Sequence, residues 1–244
     1  MEMIDLFGVN VTKINYYDLL TEIEKRRINN KLLTISYVTV NSINLIIRHR
    51  ALLDKFNSFD IVHSDGIGIF LCSKYLYGKN GLKNRFTGSD FYPELLSLAK
   101  TRGWKLFLFG GDNKTTLLIR EKLKGILDFE TVSGFDFSDE IILQKINYFQ
   151  PDVLLVGLGC PLQEKWIQKN KNHLEVKIIL AVGEGLKIFA GNKKRGPKMI
   201  QNLGFEWLVR LITEPKKMWK RYLIGIPLFI FRVIKYKISL RNSL

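Results

Sequence analysis

The chain has 244 residues, a formal net charge of +15 and two cysteines, Cys72 and Cys160. That length suffices for one large domain, or a domain with an appendage, and for a core that needs no disulfide framework. The cysteines have no metal-ligand spacing and read as packing thiols of a reducing compartment. No basic segment followed by an apolar one opens the chain, and no run of about 20 apolar residues occurs, so the expectation is a cytoplasmic protein without leader or spanning helix.

Strand and helix patterns alternate along the first 192 residues. Residues 32–40 are β-rich and end in Thr39-Val40-Asn41; residues 42–56 have helical spacing, with Ile43, Ile46, Ile47 and Leu53 apolar. A short strand over 60–64 runs into Asp65-Gly66, and 67–77 reads as a helix. Ser89, after Gly88, is a good N-cap for a helix over 90–102. A buried strand over 104–109 ends in Gly110-Gly111-Asp112. A helix over 114–124, a strand over 129–132 and a helix capped by Ser138 and running to 149 come next.

The stretch 151–166, PDVLLVGLGCPLQEKW, is the most informative. Its apolar run predicts a strand buried on both faces. Gly157 and Gly159 allow a sharp turn, and Pro161 suits a first helical turn. Strand, glycine turn and helix N-terminus in that order favour anions such as phosphate. A last strand over 177–182 ends in Gly183. The alternation predicts an α/β fold, a mostly parallel sheet with helices on both faces. Sites in such sheets lie at the carboxyl ends of strands.

The charge is uneven. Residues 193–244 hold thirteen Lys or Arg against Glu206 and Glu214, a net +11, and the first 192 residues carry the remaining +4. We therefore divide the chain into an α/β domain, 1–192, and a basic appendage, 193–244. The appendage opens on a basic turn, Lys193-Lys194-Arg195-Gly196-Pro197. A helix over 198–213 follows, with Leu203, Trp207, Leu208 and Leu211 on one side, and Glu214-Pro215 breaks it. Beyond the break, Lys216, Lys217, Lys220 and Arg221 mix with Met218, Trp219, Tyr222 and Leu223. Residues 224–234 are apolar but too short to span a bilayer and are interrupted by Pro227 and Arg232. A basic amphipathic segment of this kind suits an anionic membrane surface. The alternative is a helix that packs its apolar face on the core and solvates its charges.

Polar groups end four strands: Thr39 and Asn41, Asp65, Gly110 with Asp112, and Gly159 to Gln163. Asp65, between an apolar strand and a glycine, suits a base or a helix N-cap equally. For Thr39 and Asn41, turn chemistry is the better reading. Arg85, ahead of a helix start, suits a diphosphate clamp or a salt bridge with Asp90. Gly110-Gly111-Asp112 lacks both the dinucleotide fingerprint and the P-loop lysine. His49, His63 and His173 have no ligand spacing. No Asp-x-Asp occurs, so no metal for a nucleotide diphosphate and no cofactor is expected; Arg85 or the appendage cations would neutralise such a group.

Several segments in order resemble one family: Thr39-Val40-Asn41, Asp65-Gly66-Ile67-Gly68, Arg85-Phe86-Thr87-Gly88-Ser89-Asp90, the 151–166 stretch, Gly204-Phe205-Glu206-Trp207-Leu208 with Arg210-Leu211, and Glu214-Pro215-Lys216-Lys217-Met218-Trp219-Lys220-Arg221-Tyr222-Leu223. Together they resemble the WecG/TagA/CpsF glycosyltransferases over residues 5–225. The resemblance implies a Rossmann-like catalytic domain and a C-terminal appendage that docks on the inner membrane leaflet and helps close the site. It implies inverting transfer of a sugar from a UDP donor to a lipid-linked acceptor. In the teichoic-acid members these are UDP-N-acetylmannosamine and N-acetylglucosaminyl-diphospho-undecaprenol. The family's base falls on Asp65, its pocket residues on Thr39, Asn41 and Gln163, its substrate-handling arginine on Arg85, and its appendage cations on Arg210, Lys217 and Arg221. Gly110 and Gly159 are expected to border the substrate.

Three departures stand out. Glu184 is an added acid and Lys187 replaces an expected Asp, which puts the change in the donor pocket. Arg195-Gly196-Pro197 replaces Arg-Ala-Pro. The extension past Gly225 is longer than expected, favouring firmer membrane attachment. The rival readings are a nucleic-acid-binding α/β protein, for which Leu228-Phe229-Ile230-Phe231 is too apolar, and a non-catalytic subunit of a cell-envelope complex. A monomer and a small homo-oligomeric ring are both compatible with the sequence.

Overall fold

The computed structural model describes residues 1–192 and 196–242. Lys193, Lys194 and Arg195 of the basic turn lie outside the described residues. A hairpin of β1 (Met3–Leu6) and β2 (Val9–Thr12) opens the chain, followed by α1 (Tyr16–Ile28). Then come β3 (Leu33–Val38), α2 (Val40–Arg48), α3 (Leu52–Asn57), β4 (Ile61–Ser64), α4 (Ile67–Tyr77) and α5 (Gly88–Arg102). The next elements are β5 (Leu106–Gly110), α6 (Asn113–Leu123), β6 (Phe129–Val132), α7 (Asp139–Phe149) and β7 (Val153–Gly157). α8 (Leu162–Asn170), β8 (Ile178–Ala181) and the short α9 (Leu186–Phe189) complete the α/β part. The C-terminal part holds α10 (Lys198–Asn202), α11 (Glu206–Thr213), α12 (Pro215–Trp219), a π-helical stretch (Lys220–Ile224) and α13 (Gly225–Asn242).

Six strands pair in the order β4-β3-β8-β7-β5-β6, every pair parallel. All six carboxyl ends therefore share one edge. Side chains along each strand alternate between two cores. Phe107, Phe109, Leu154 and Val156 enter one with α2, α4, α7, α8 and α13. Leu106, Leu108, Val153 and Leu155 enter the other with α1, α5, α6 and α9. This is the Rossmann-like α/β sheet expected, covered on both faces.

Several boundaries differ from expectation. The helix expected over 42–56 is two, α2 and α3. Thr39 caps α2 in a reciprocal capping box with Ser42, so the helix starts at Val40 and absorbs Asn41. α5 begins at Gly88 with Thr87 at the N-cap, and Ser89 sits inside its first turn instead of capping it. The helix expected over 198–213 breaks at Gly204, whose φ of +79° suits no side chain well. A Cβ there would also meet Ile67 at 3.0 Å and the Arg85 Nη1 at 3.2 Å.

The last helix packs one face on the core and leaves apolar residues of the other exposed. One face of α13 packs: Phe229 and Val233 are buried against the core that holds α2 and α4. The Phe7 ring stands 4.5 Å from that of Tyr236. Arg232 donates to the Asn44 backbone carbonyl and Oδ1, and Lys237 to the Leu76 carbonyl. The opposite face carries Ile230, Phe231, Ile234 and Ile238, all exposed. Among the described residues no helix is long and apolar enough to cross a membrane. Phe229→Ala is expected to lower unfolding stability by about 3 kcal/mol, whereas Phe231→Ala, at an exposed position, should change it by less than about 0.5 kcal/mol; urea denaturation of both variants checks this.

Candidate active site

A cavity of about 680 Å³ opens at the carboxyl edge of the sheet beside β3 and β4. Three helix N-termini meet there. α2 contributes Thr39, Val40 and Asn41, α4 contributes Gly66, Ile67 and Gly68, and the start of α5 contributes Thr87 and Ser89. Each presents partial positive charge. The appendage closes the far side with Leu203, Gly204, Phe205, Trp207, Arg210, Arg221 and Tyr222. Leu71, Tyr75, Ile226, Phe229, Ile230 and Val233 form an apolar wall between α4 and α13.

Asp65 sits at the polar end. Its backbone N–H donates to Val38 O at 2.8 Å, extending the β3–β4 ladder by one step. The carboxylate does not cap α4, whose N-cap is Gly66 with no side-chain bond. Instead its Oδ1 accepts the Gly88 N–H, 3.0 Å away, at the start of α5. Asp65 is thus half-buried, anchored through one oxygen, and a wall of the cavity.

Arg85 also lines the cavity, and its Nη1 donates to Gln201 O at 2.9 Å. That bond ties the α/β part to the end of α10. Arg210 and Arg221 reach the cavity from α11 and the π-helical stretch. Thr39, Asn41, Asp65, Arg85, Arg210 and Arg221 are therefore brought together.

Gly110, Gly159, Gln163 and Lys217 do not line this cavity. Gln163 is fully buried behind it. Its Oε1 accepts the Gly183 N–H at 2.8 Å, and its Nε2 donates to Glu164 Oε1 at 2.8 Å. The Oε1 contact pins α8 to the turn after β8, while the Nε2 contact stays within α8. Burial raises the Glu164 carboxyl, which the hydrogen bonds from Gln163 and Ser36 only partly offset. Gly110 is crowded by Gly157, and Lys217 sits in an ion-pair cluster with Glu184. Tyr75, Trp207, Tyr222 and Phe229 are cavity residues that motif reading passed over. Aromatic residues at helical spacing look the same in a core and in a pocket.

His63, two residues before Asp65, is buried in the core. Its ring lies 4.0 Å from that of Phe86, and its Nδ1 donates to Ser64 O at 2.9 Å. Burial holds its pKa below the ordinary histidine value. Burial also pushes the Cys72 thiol up to about 12. Among the described residues, no group of three or more His, Cys, Asp or Glu is placed to hold a metal ion.

The sequence model of the glycosyl transferase WecG/TagA/CpsF family matches residues 4–243. The chain belongs to this family. It is 29% identical over 248 residues to the N-acetylglucosaminyldiphosphoundecaprenol N-acetyl-beta-D-mannosaminyltransferase of Staphylococcus aureus strain MRSA252, covering 98% of this chain and 95% of the relative. The same-named proteins of strains NCTC 8325 / PS 47 and COL match with the same identity and coverage. The family match runs through α13, so the extension past Gly225 falls within the family's span and is no peculiarity of this chain.

Glu184 and Lys187 make ion pairs with the appendage. Neither residue lines the cavity. Glu184 pairs with Arg210 and Lys217 of the appendage, and Lys187 Nζ lies 3.3 Å from Glu214 Oε1. Burial raises the Glu214 carboxyl, but the nearby cations Lys187, Lys217 and Arg210 outweigh it and hold the pKa below the usual range. Burial, with the like charges of Lys187, Arg210 and Arg221, holds Lys217 below its ordinary value.

His63 carries a pH prediction. A folded pKa below the unfolded one stabilises the fold above the ordinary value of about 6.5, and that stability is lost as pH falls below it. The thermal midpoint should drop between pH 7 and pH 5, and His63→Phe should flatten that drop; calorimetry across the range measures it.

Proposed function

We propose that this protein is an inverting glycosyltransferase that moves N-acetylmannosamine, or a related hexose derivative, from a UDP donor to N-acetylglucosaminyl-diphospho-undecaprenol. The product would serve cell-envelope polysaccharide synthesis of the teichoic-acid type. Family membership supports transfer chemistry, and the relatives, named for this acceptor and for N-acetyl-beta-D-mannosaminyl transfer, support this acceptor and a β-linked product. UDP-hexose donors carry the sugar in α linkage, so a β product requires inversion. The observation that carries the reading is the Asp65 carboxylate, set with Arg85, Arg210 and Arg221 in a cavity that also offers Thr39, Asn41, Thr87, Ser89 and Glu206 beside its apolar wall.

In this mechanism Asp65 accepts the proton of an acceptor hydroxyl. The freed oxygen attacks the anomeric carbon from the face opposite the diphosphate. The new C–O bond forms as the bond to UDP breaks, and the departing oxygen keeps the bonding pair. Arg85, Arg210, Arg221 and the three helix N-termini stabilise the charge that develops there. Thr39, the N-cap of α2, and Asn41, in its first turn, line the cavity and would bind sugar hydroxyls. No metal takes part in this reading; UDP-sugar is a substrate, not a cofactor. The exposed apolar and basic residues of α13 and the preceding turns support peripheral attachment to the inner face of the cell membrane, where the proposed acceptor would reside.

Asp65→Asn is expected to cut UDP release, with UDP-N-acetylmannosamine and a short-chain acceptor, by about 10²–10⁴-fold, with donor binding by calorimetry unchanged. Wild-type turnover in this variant would rule out the base. Full-length protein should float with anionic vesicles and shift no RNA; the converse would favour the nucleic-acid reading.

A further inference from the structure

Glu184 and Lys187, the two residues that depart from the family pattern, both face the appendage. They sit one helical turn apart in the segment that follows β8, the strand that joins the two halves of the sheet. Across from them stand Arg210 of α11, Glu214 at the non-helical break between the two helices, and Lys217 of α12. The polarity is crossed. The acid at 184 meets the cations Arg210 and Lys217, and the cation at 187 meets the acid Glu214. Lys217 also lies 3.9 Å from Glu214 Oε2. A shift of one turn would bring Glu184 toward Glu214 and Lys187 toward Arg210, so the pattern specifies a single seating.

The cluster is only partly exposed: the side chains of Glu184 and Arg210 are 28% and 21% accessible. Arg210 bridges it to the cavity, which it lines while Glu184 does not. A guanidinium has five donors in a rigid fork. Glu184 engages Nη2 of that fork, and Arg210 also lines the cavity. The β8 end beneath is rigid: Val182 N–H donates to Val156 O at 2.8 Å, and Gly183 N–H to Gln163.

We propose that Glu184 and Lys187 form a two-point ionic latch that seats the C-terminal helices on the catalytic domain, with Glu184 as the positioning residue that holds Arg210 at the cavity. The kinetic part rests on the proposed transferase activity; the seating does not.

Amide hydrogen exchange of the unliganded full-length protein tests the seating. Glu184→Gln should speed exchange over residues 206–219 about fivefold, with Glu184→Asp returning most of the protection. Lys187→Gln and Glu214→Gln should each loosen the same segment, and the double variant should be little looser than either parent, because both remove the same pair. Unchanged exchange in Glu184→Gln, or fully additive effects in the double variant, would overturn the latch. For positioning, Glu184→Gln should lower kcat about fivefold while donor KM stays within about twofold, and Glu184→Asp should recover kcat. A loosened segment with wild-type kcat would overturn the positioning of Arg210. Absence of turnover in the wild-type protein would count against the transferase reading alone, since the exchange result stands without it.

Discussion

The insertion of β8 between β3 and β7 is the constraint on which the rest depends. β3 and β4 form one parallel pair, and β7, β5 and β6 form another set; β8 ladders to both and makes them one sheet. Its four residues, Ile178 to Ala181, are all buried. Parallel neighbours need long crossovers, so helices coat both faces and all loops after the strands gather at one edge. The chain leaves β8 at that edge through Gly183, whose N–H is held by Gln163. A Cβ at Gly183 would meet the Tyr37 hydroxyl at 2.3 Å. That tight exit aims Glu184 and Lys187 outward at the appendage.

The basic tail uses much of its charge internally. Arg232 and Lys237 are bound to backbone carbonyls of α2 and α4, and Arg210 and Lys217 are paired with Glu184. A net +11 over residues 193–244 thus overstates the charge free to meet a polyanion. The rest is interleaved with exposed Trp219, Leu223 and Ile224, a pattern that fits a lipid headgroup layer better than a duplex groove.

The sheet was legible because fully buried parallel strands are apolar runs ending in glycine or polar turns; β5, β7 and β8 stand within two residues of their expected bounds. The opening hairpin was not. Its strands have four residues each, and its turn puts Phe7 at a φ of 61°, whereas the usual signal is Asn-Gly or Asp-Gly. Of the site, Asp65 and Arg85 were legible because each stands at an abrupt change from strand to turn or loop to helix. Gln163 was assigned to the pocket through the family resemblance; its contact to Gly183 is tertiary and leaves no local trace. The pairing of Glu184 with Arg210 is equally invisible along the chain, since 26 residues separate them. A charge in a strand-end loop looks the same whether it meets substrate or another helix.

The position of Ile230 and Ile234 has a consequence for entry. Both line the cavity, and both are about half exposed, at 53% and 45%. The opening therefore runs along the flank of α13 as a slot rather than ending in a well. On the proposed function, an acceptor with a charged head and a long hydrocarbon tail would slide in sideways, head toward Asp65, with its tail left outside. Threading a chain would require ordering every bond of it, whereas lateral entry restrains only the atoms near the head. The same slot lets product depart by the reverse slide without the C-terminal helix leaving its seat on Phe229 and Val233.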